Sequence, residues 1–300
     1  MAEMLQNILP VYLIFFSGLI LRWTHVLSQT DGERMLKFIF YFTLPALVLK
    51  TLSGIQLIPA LFWLPFASAV IILLSGILAY YFSRLSGLSA SKSGVLLTSS
   101  MIMNIGFTIP FVHAVWGEKG LGYLFMFDFS NGIMAYSVVY YIACRHGENA
   151  GNSGKIYKKV FTSPPIWALL IALTLNISNI QLPYALLSFL DFSGQMTIPL
   201  FLIALSLFFA PSFSDFRDLL TGISLRMGFG FLLGLLMIAI LPLDPLAKII
   251  LITGASSPVG FNTLTFASLE KLDTRYAANL VSFSILLGMV LVPLLLLFWR

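Results

Sequence analysis

Apolar runs of about 20 residues, enough to cross a bilayer as helices, recur along the whole chain and are parted only by short polar breaks. A helix rises about 1.5 Å per residue, so each run matches the roughly 30 Å hydrocarbon core. We read spans at 7–27, 34–53, 60–84, 91–116, 120–144, 164–181, 193–210, 218–241, 247–268 and 276–299. The runs are continuous rather than alternating, which excludes an outer-membrane β-barrel. Charge argues the same way. Only 10% of the residues are charged and 59% are hydrophobic, against about 25% charged in a soluble domain. Intrinsic disorder needs the opposite balance. The expected fold class is an all-α polytopic membrane protein of ten transmembrane helices.

One long hydrophilic stretch, 145–163, rich in Gly, Asn, Ser and Lys, divides a first set of five helices (1–144) from a second (164–300). Of the 17 Lys and Arg, twelve fall in loops on one side of this topology, among them Arg22, Arg84, Arg145 and Lys271. Four (Lys50, Lys119, Lys248 and Arg300) fall on the other, and Arg226 lies inside a span. Basic loops stay in the cytoplasm. Both termini are therefore expected on the extracytoplasmic side of the cell (inner) membrane. Those loops account for the net charge of +5, and no nucleic-acid partner is needed. Met1 to Gln6 carries no Lys or Arg, so the first run reads as a retained helix rather than a signal peptide.

The two halves match each other. Pro10 corresponds to Pro165, Thr43-Leu44-Pro45 to Thr197-Ile198-Pro199, and Gly106-Phe107 to Gly260-Phe261, at offsets of 155, 154 and 154 residues. Five helices per repeat is an odd number, so the second copy enters the membrane inverted. Inverted repeats are characteristic of secondary transporters.

The fourth and ninth spans are interrupted. The fourth holds Asn104, Gly106, Thr108 and Pro110; the ninth holds Ser256, Ser257, Pro258, Gly260 and Asn262. Pro removes a helix donor and clashes with the preceding turn, and Gly weakens the helix further. Backbone freed at that depth must be satisfied by protein, ligand or water. Two interruptions at matching repeat positions point to a mid-membrane site, where half-helix N-termini aim N–H groups at an anion. The expected substrate-binding residues are Asn104, Gly106, Thr108, Pro110, Ser256, Ser257, Pro258 and Asn262. Pro45 and Pro199 read as kinks. Gly18, Gly76, Gly228, Gly230 and Gly234 read as positions of close helix packing.

Set in this repeat layout, Thr43-Leu44-Pro45-Ala46-Leu47 and Asn104-Ile105-Gly106-Phe107-Thr108-Ile109-Pro110 resemble the auxin efflux carrier family in its short bacterial form, over essentially the whole chain. The resemblance implies two inverted five-helix repeats, similar to those of bile acid:sodium symporters. It also implies helices four and nine crossing at their prolines, a scaffold–transport domain division and often a homodimer. The implied substrates are carboxylates such as auxin, malonate or malate. The family's crossover Asn falls on Asn104 and its helix-nine Pro on Pro258. Asn104 precedes Pro110 by six residues where seven is usual in the family, and Thr108 stands where a Gly is common. Only 145–163 corresponds to the long cytoplasmic loop of plant members.

Charge inside a span is costly and usually functional or paired. Asp128, the one acid well inside a span, joins Asn131 as a candidate site for a coupling proton or cation; a helix-packing hydrogen bond is the alternative. Arg226 is expected to snorkel to the inner headgroups, with attraction of a substrate carboxylate as the alternative. Lys50 is expected to snorkel at an outer helix end. His113 reads as a packing residue, or else a proton carrier. Gln195 and Asn279 are weaker candidates for a cavity wall. The single Cys144 excludes an intramolecular disulfide, and no metal motif joins it to His25, His113 and His146. No metal, cofactor or catalytic residue is expected. A nucleotide-binding loop and a nucleophile–base pair are both missing from the sequence, which argues against a pump and an enzyme. The reading is a secondary transporter, an efflux carrier for a small organic anion, working by alternating access among membrane lipids. Proton coupling, sodium coupling and uniport stay open. The alternative is a non-transporting sensor or a channel that keeps the fold.

Overall fold

The computed structural model describes residues 2–147, 162–209 and 216–298, and these are all-helical. In chain order the helices are α1 (Ala2–Trp23), α2 (Gln29–Gly54), α3 (Pro59–Leu85), α4 (Ala90–Met101), α5 (Ile105–Met134) and α6 (Tyr140–His146). Then follow α7 (Pro164–Ile177), α8 (Tyr184–Leu207), α9 (Phe216–Ile240), α10 (Pro245–Ala255), α11 (Asn262–Leu269) and α12 (Thr274–Phe298). Six of the described helices, α1, α2, α3, α8, α9 and α12, are long and apolar enough to cross a membrane. Most of the expected connecting loop 145–163 lies outside the described residues.

α1 is apolar on its outer face as well as its inner one. On α1, Ile8, Val11, Phe15 and Leu19 are buried, while Leu9, Leu13, Phe16 and Ile20 are exposed. A helix with an apolar outer stripe needs lipid around it rather than water. Local signals set the helix starts. The Ser28 hydroxyl accepts from Asp31 N, and the Asp31 carboxylate accepts from Ser28 N (2.9 Å), closing a capping box at the start of α2. Midway, α2 widens into a π turn, Ile39–Thr43, and Pro45 sits in the first turn of the α-helical stretch that follows. A first turn needs no N–H from Pro, so the span continues.

Several boundaries differ from the sequence reading. α8 begins at Tyr184, well before the expected 193, because Ser188, Asp191 and Ser193 make its first turns look like a loop. The fourth and fifth expected spans meet at a sharp kink instead of a longer loop: the stretch labelled α5 is two helices joined at Gly117, whose dihedrals (φ 56°, ψ −148°) leave the helical region for one open essentially to glycine. The fourth span divides into α4 and the start of α5, and the ninth into α10 and α11. Close approaches at small residues knit the bundle together. A Cβ on Gly18 would meet Ser206 of α8, one on Gly76 would meet Met101 of α4, and one on Gly234 would meet Ala255 of α10. Gly228, expected among these, faces open space.

Candidate functional site

The two helix breaks lie against each other. Met103 and Val259 form an isolated antiparallel bridge. Asn104 N donates to Pro258 O and Gly260 N to Ile102 O, each at 2.9 Å. A third layer comes from Asn131 on α5. Its Oδ1 accepts from Met103 N (3.1 Å) and its Nδ2 donates to Met103 O (3.2 Å), so a side-chain amide stands in for a peptide. Val259 N donates to Ser284 Oγ on α12 (3.0 Å). Extended backbone at membrane depth persists only where its polar groups are paired within protein. Gly260 permits the approach, since a Cβ there would fall 2.2 Å from the Ile102 side chain.

Asn104 opens α5 as its N-cap. Oδ1 accepts from Phe107 N (3.1 Å), and Nδ2 donates to Val259 O (3.3 Å). The residue is nearly buried, yet it lines a cavity of about 900 Å³, within the range of small-molecule sites, together with Gly106 and Asn262. The floor of this cavity is Ile102–Gly106 and Gly260–Asn262, with Asp128 and Asn131 beside it. Its walls are aromatic and aliphatic, including Phe40, Tyr136, Phe201 and Phe261. The lining reaches Gln29 and Glu33 on α2, Ser163 before α7, Phe208 after α8, Leu269 on α11 and Thr274 on α12. These residues cluster at one end of the bundle. The turns at the other end, 55–58, 178–183 and 241–244, contribute none. Access is therefore one-sided.

The far end is held by polar contacts. Lys50 pairs with Glu118 and with Asp191 (2.8 Å). Expected to snorkel, it is found paired with two acids. Asn176 Nδ2 on α7 donates to the carbonyls of Leu52 (2.8 Å), Ser53 (3.2 Å) and Ile55 (2.7 Å) at the end of α2.

Of the expected site residues, Asn104, Gly106, Asn262, Asp128 and Asn131 line the cavity. Asp128 Oδ1 accepts from Asn131 Nδ2 (2.8 Å), and Asn262 Oδ1 accepts from the Tyr136 hydroxyl (3.4 Å). Thr108, Pro110, Ser256, Ser257 and Pro258 are buried behind the floor and outside the cavity lining. They build the breaks: Ser256 Oγ donates to Ile252 O (2.7 Å), and Thr108 Oγ1 donates to Asn104 O (3.4 Å). His113 is exposed, Gln195 donates to Asp191 (2.9 Å), and neither Gln195 nor Asn279 lines the cavity.

Arg226 departs most from expectation. It is fully buried in a π turn, Ser224–Gly228, and lies outside the cavity lining. Its guanidinium donates to the backbone carbonyls of Ala255, Ser257 (3.3 Å) and Ser100 (3.3 Å). Acceptors at the ends of two broken helices lie within its reach, and the side chain turns inward to them. Sequence reasoning also missed the aromatic walls and Ser284. They come from separate helices and share no local motif.

Compared with known proteins, the chain matches over residues 3–296 the family described as membrane transport protein. It belongs to that family. Two relatives are similar across 96% of both chains. One is an "uncharacterized transporter" of Methanothermobacter thermautotrophicus, 25% identical; the other, of Methanocaldococcus jannaschii and named likewise, is 23% identical.

Proposed function

We propose that the chain is a secondary transporter for small organic carboxylates. In this reading it has ten spans in two inverted five-helix repeats, 1–144 and 164–300, joined by 145–163. The observation that carries it is the one-sided cavity ending on two facing helix breaks. The first turn of α5 starts at the floor, where the N–H groups of Ile105 and Gly106 have no partner inside the helix. Such a terminus favours negative charge. The second Nδ2 hydrogen of Asn104 and the amide of Asn262 add neutral donors. The apolar walls take the body of the solute while the floor takes its carboxylate.

Alternating access is the mechanism that suits the arrangement of the two ends. One end is open down to the floor, and the other is closed by Lys50 with Glu118 and Asp191. Lys and Arg counting assigns the open end to the cytoplasm and both termini to the outside, which suits loading for export. A membrane potential of 100 mV is worth roughly 2.3 kcal/mol per charge, enough to drive an anion outward without a coupling ion. In this reading Asp128 and Asn131, which line the cavity, hold the coupling proton or sodium ion of a coupled carrier. The homodimer implied by the resemblance belongs to the same reading.

The test is thermal stabilisation of the purified protein by a panel of mono- and dicarboxylates, with and without sodium and at two pH values. A bound ligand raises apparent stability by mass action. A selective shift, lost in Asn104→Ala, is expected, followed by saturable counterflow in proteoliposomes. Binding without flux would make the chain a sensor. No shift with any carboxylate in folded protein would overturn the substrate class.

A further inference from the structure

We propose that Arg226 is the positioning residue of the junction. Its guanidinium supplies the countercharge for the carbonyl ends of α4 and α10 and holds the two breaks in register. The proposal goes beyond the transport reading and does not depend on the solute.

The argument starts with which carbonyls are orphaned. In a continuous helix Ser100 O would accept from Asn104 N, and Ala255 O from Val259 N. Here Asn104 N donates to Pro258 O instead, and Val259 N donates to Ser284 Oγ. Ser100 O and Ala255 O have thus lost their intrahelical donors, and both are acceptors of Arg226, as is Ser257 O. One side chain replaces the backbone donors that the two breaks removed.

Electrostatics gives the same assignment. Each helix C-terminus carries roughly half a negative charge. α4 and α10 bring two of them together in a buried region, where like partial charges repel. A single guanidinium matches their sum. Among the described residues Arg226 has no carboxylate in an ion pair, so carbonyl dipoles are its countercharge. Its planar fork of donors suits acceptors spread over two helices, where an ammonium is a compact point charge.

Packing is shaped to the same end. Arg226 sits in a π turn that breaks the regular helical register of α9. Gly230, one turn further on, leaves no room for a side chain: a Cβ there would fall 2.2 Å from Ala255 O and 3.2 Å from an Arg226 guanidinium nitrogen. The glycine brings α9 close enough for the guanidinium to span both breaks. The C-terminal ends of the broken helices are thereby neutralised behind the floor, and the α5 N-terminus faces the cavity free of their opposing field.

The experiment compares full-length Arg226→Met, Arg226→Gln and Arg226→Lys with the parent protein in nanodiscs. Amide hydrogen exchange is read by peptide over 101–106 and 256–262, with α3 as the reference. Arg226→Met and Arg226→Gln are expected to raise exchange at both breaks at least tenfold while α3 stays within twofold, and Arg226→Lys is expected to restore part of the protection. Unchanged exchange at the breaks overturns the proposal. So does a uniform rise along the chain in every variant, which would mark Arg226 as an ordinary packing residue. If the neutral variants fail to fold, Arg226→Lys decides: faster exchange confined to both breaks supports the proposal, and parent-like or uniformly raised exchange overturns it. No ligand is used. A failure of malonate and phenylacetate to stabilise the parent protein would overturn the carboxylate reading and leave this result standing.

Discussion

Asn104 has two duties that a pair of substitutions can separate. Its Oδ1 caps α5 at Phe107 N (3.1 Å), and its Nδ2 reaches Val259 O across the junction (3.3 Å). Replacing an N-cap by Ala costs about 1 kcal/mol, and losing a neutral hydrogen bond costs about 1 kcal/mol. Asn104→Ala removes both and is expected to lose about 2 kcal/mol. Asn104→Ser keeps a capping oxygen and loses only the link to Val259, so it is expected to lose about 1 kcal/mol. At roughly 2 °C per kcal/mol for a chain of this size, the apparent melting midpoints fall by about 4 °C and 2 °C. The carboxylate response behaves differently. Both variants lack the amide, so both are expected to lose ligand-induced stabilisation to the same degree. Differential scanning fluorimetry of parent, Ala and Ser proteins, with and without the stabilising carboxylate, reads both quantities in one series. Recovery of the full ligand shift in Asn104→Ser would refute the idea that the amide is a ligand and leave it only a cap. Equal stability of all three would refute the capping argument.

Asn131→Ala leaves Met103 N and O without the amide that pairs both; about 2–3 kcal/mol should be lost, seen as a lower unfolding midpoint, and a parent-like midpoint would show that water replaces it. Gly230→Ala places a Cβ 2.2 Å from Ala255 O, whereas Gly228 faces open space in helical backbone. The first should cost about 1–3 kcal/mol and the second should be neutral or gain up to about 1 kcal/mol; thermal unfolding that ranks them the other way would contradict the packing described. Lys50→Met removes the pairs to Glu118 and Asp191. It should raise labelling of an introduced Ile109→Cys from the closed side several-fold, against the low background of buried Cys144; unchanged labelling would place the closure elsewhere.

The breaks were legible in the sequence because Pro, Gly and Asn in an apolar span have few other uses. Asn104 and Asn262 reached the cavity for that reason. Thr108, Ser256 and Pro258 carried the same signal yet sit behind the floor, because composition marks where a helix stops and not which way each side chain turns. Arg226 was legible as costly but not as paired: its acceptors are carbonyls freed by breaks on two other helices, and backbone groups leave no mark in residue identity. The early start of α8 was hidden by Asp191, whose partner Lys50 is distant in sequence. The aromatic walls are single residues from separate helices, and apolar chains supply too many aromatics for any one to stand out.

The bridge at the breaks has a consequence for how the chain is made. Asn104 and Val259, 155 residues apart, are partners, and Asn104 N and Ile102 O are likewise satisfied only by the second half. During synthesis the first half of the chain enters the bilayer before those partners exist. Until they arrive, its broken helix holds polar backbone groups that cost several kcal/mol each in hydrocarbon. The early half must then borrow water, lipid headgroups or a chaperone, and truncation before Pro258 should yield a product marked for degradation. The feature that equips the adult protein to receive a solute makes its nascent form dependent on completion.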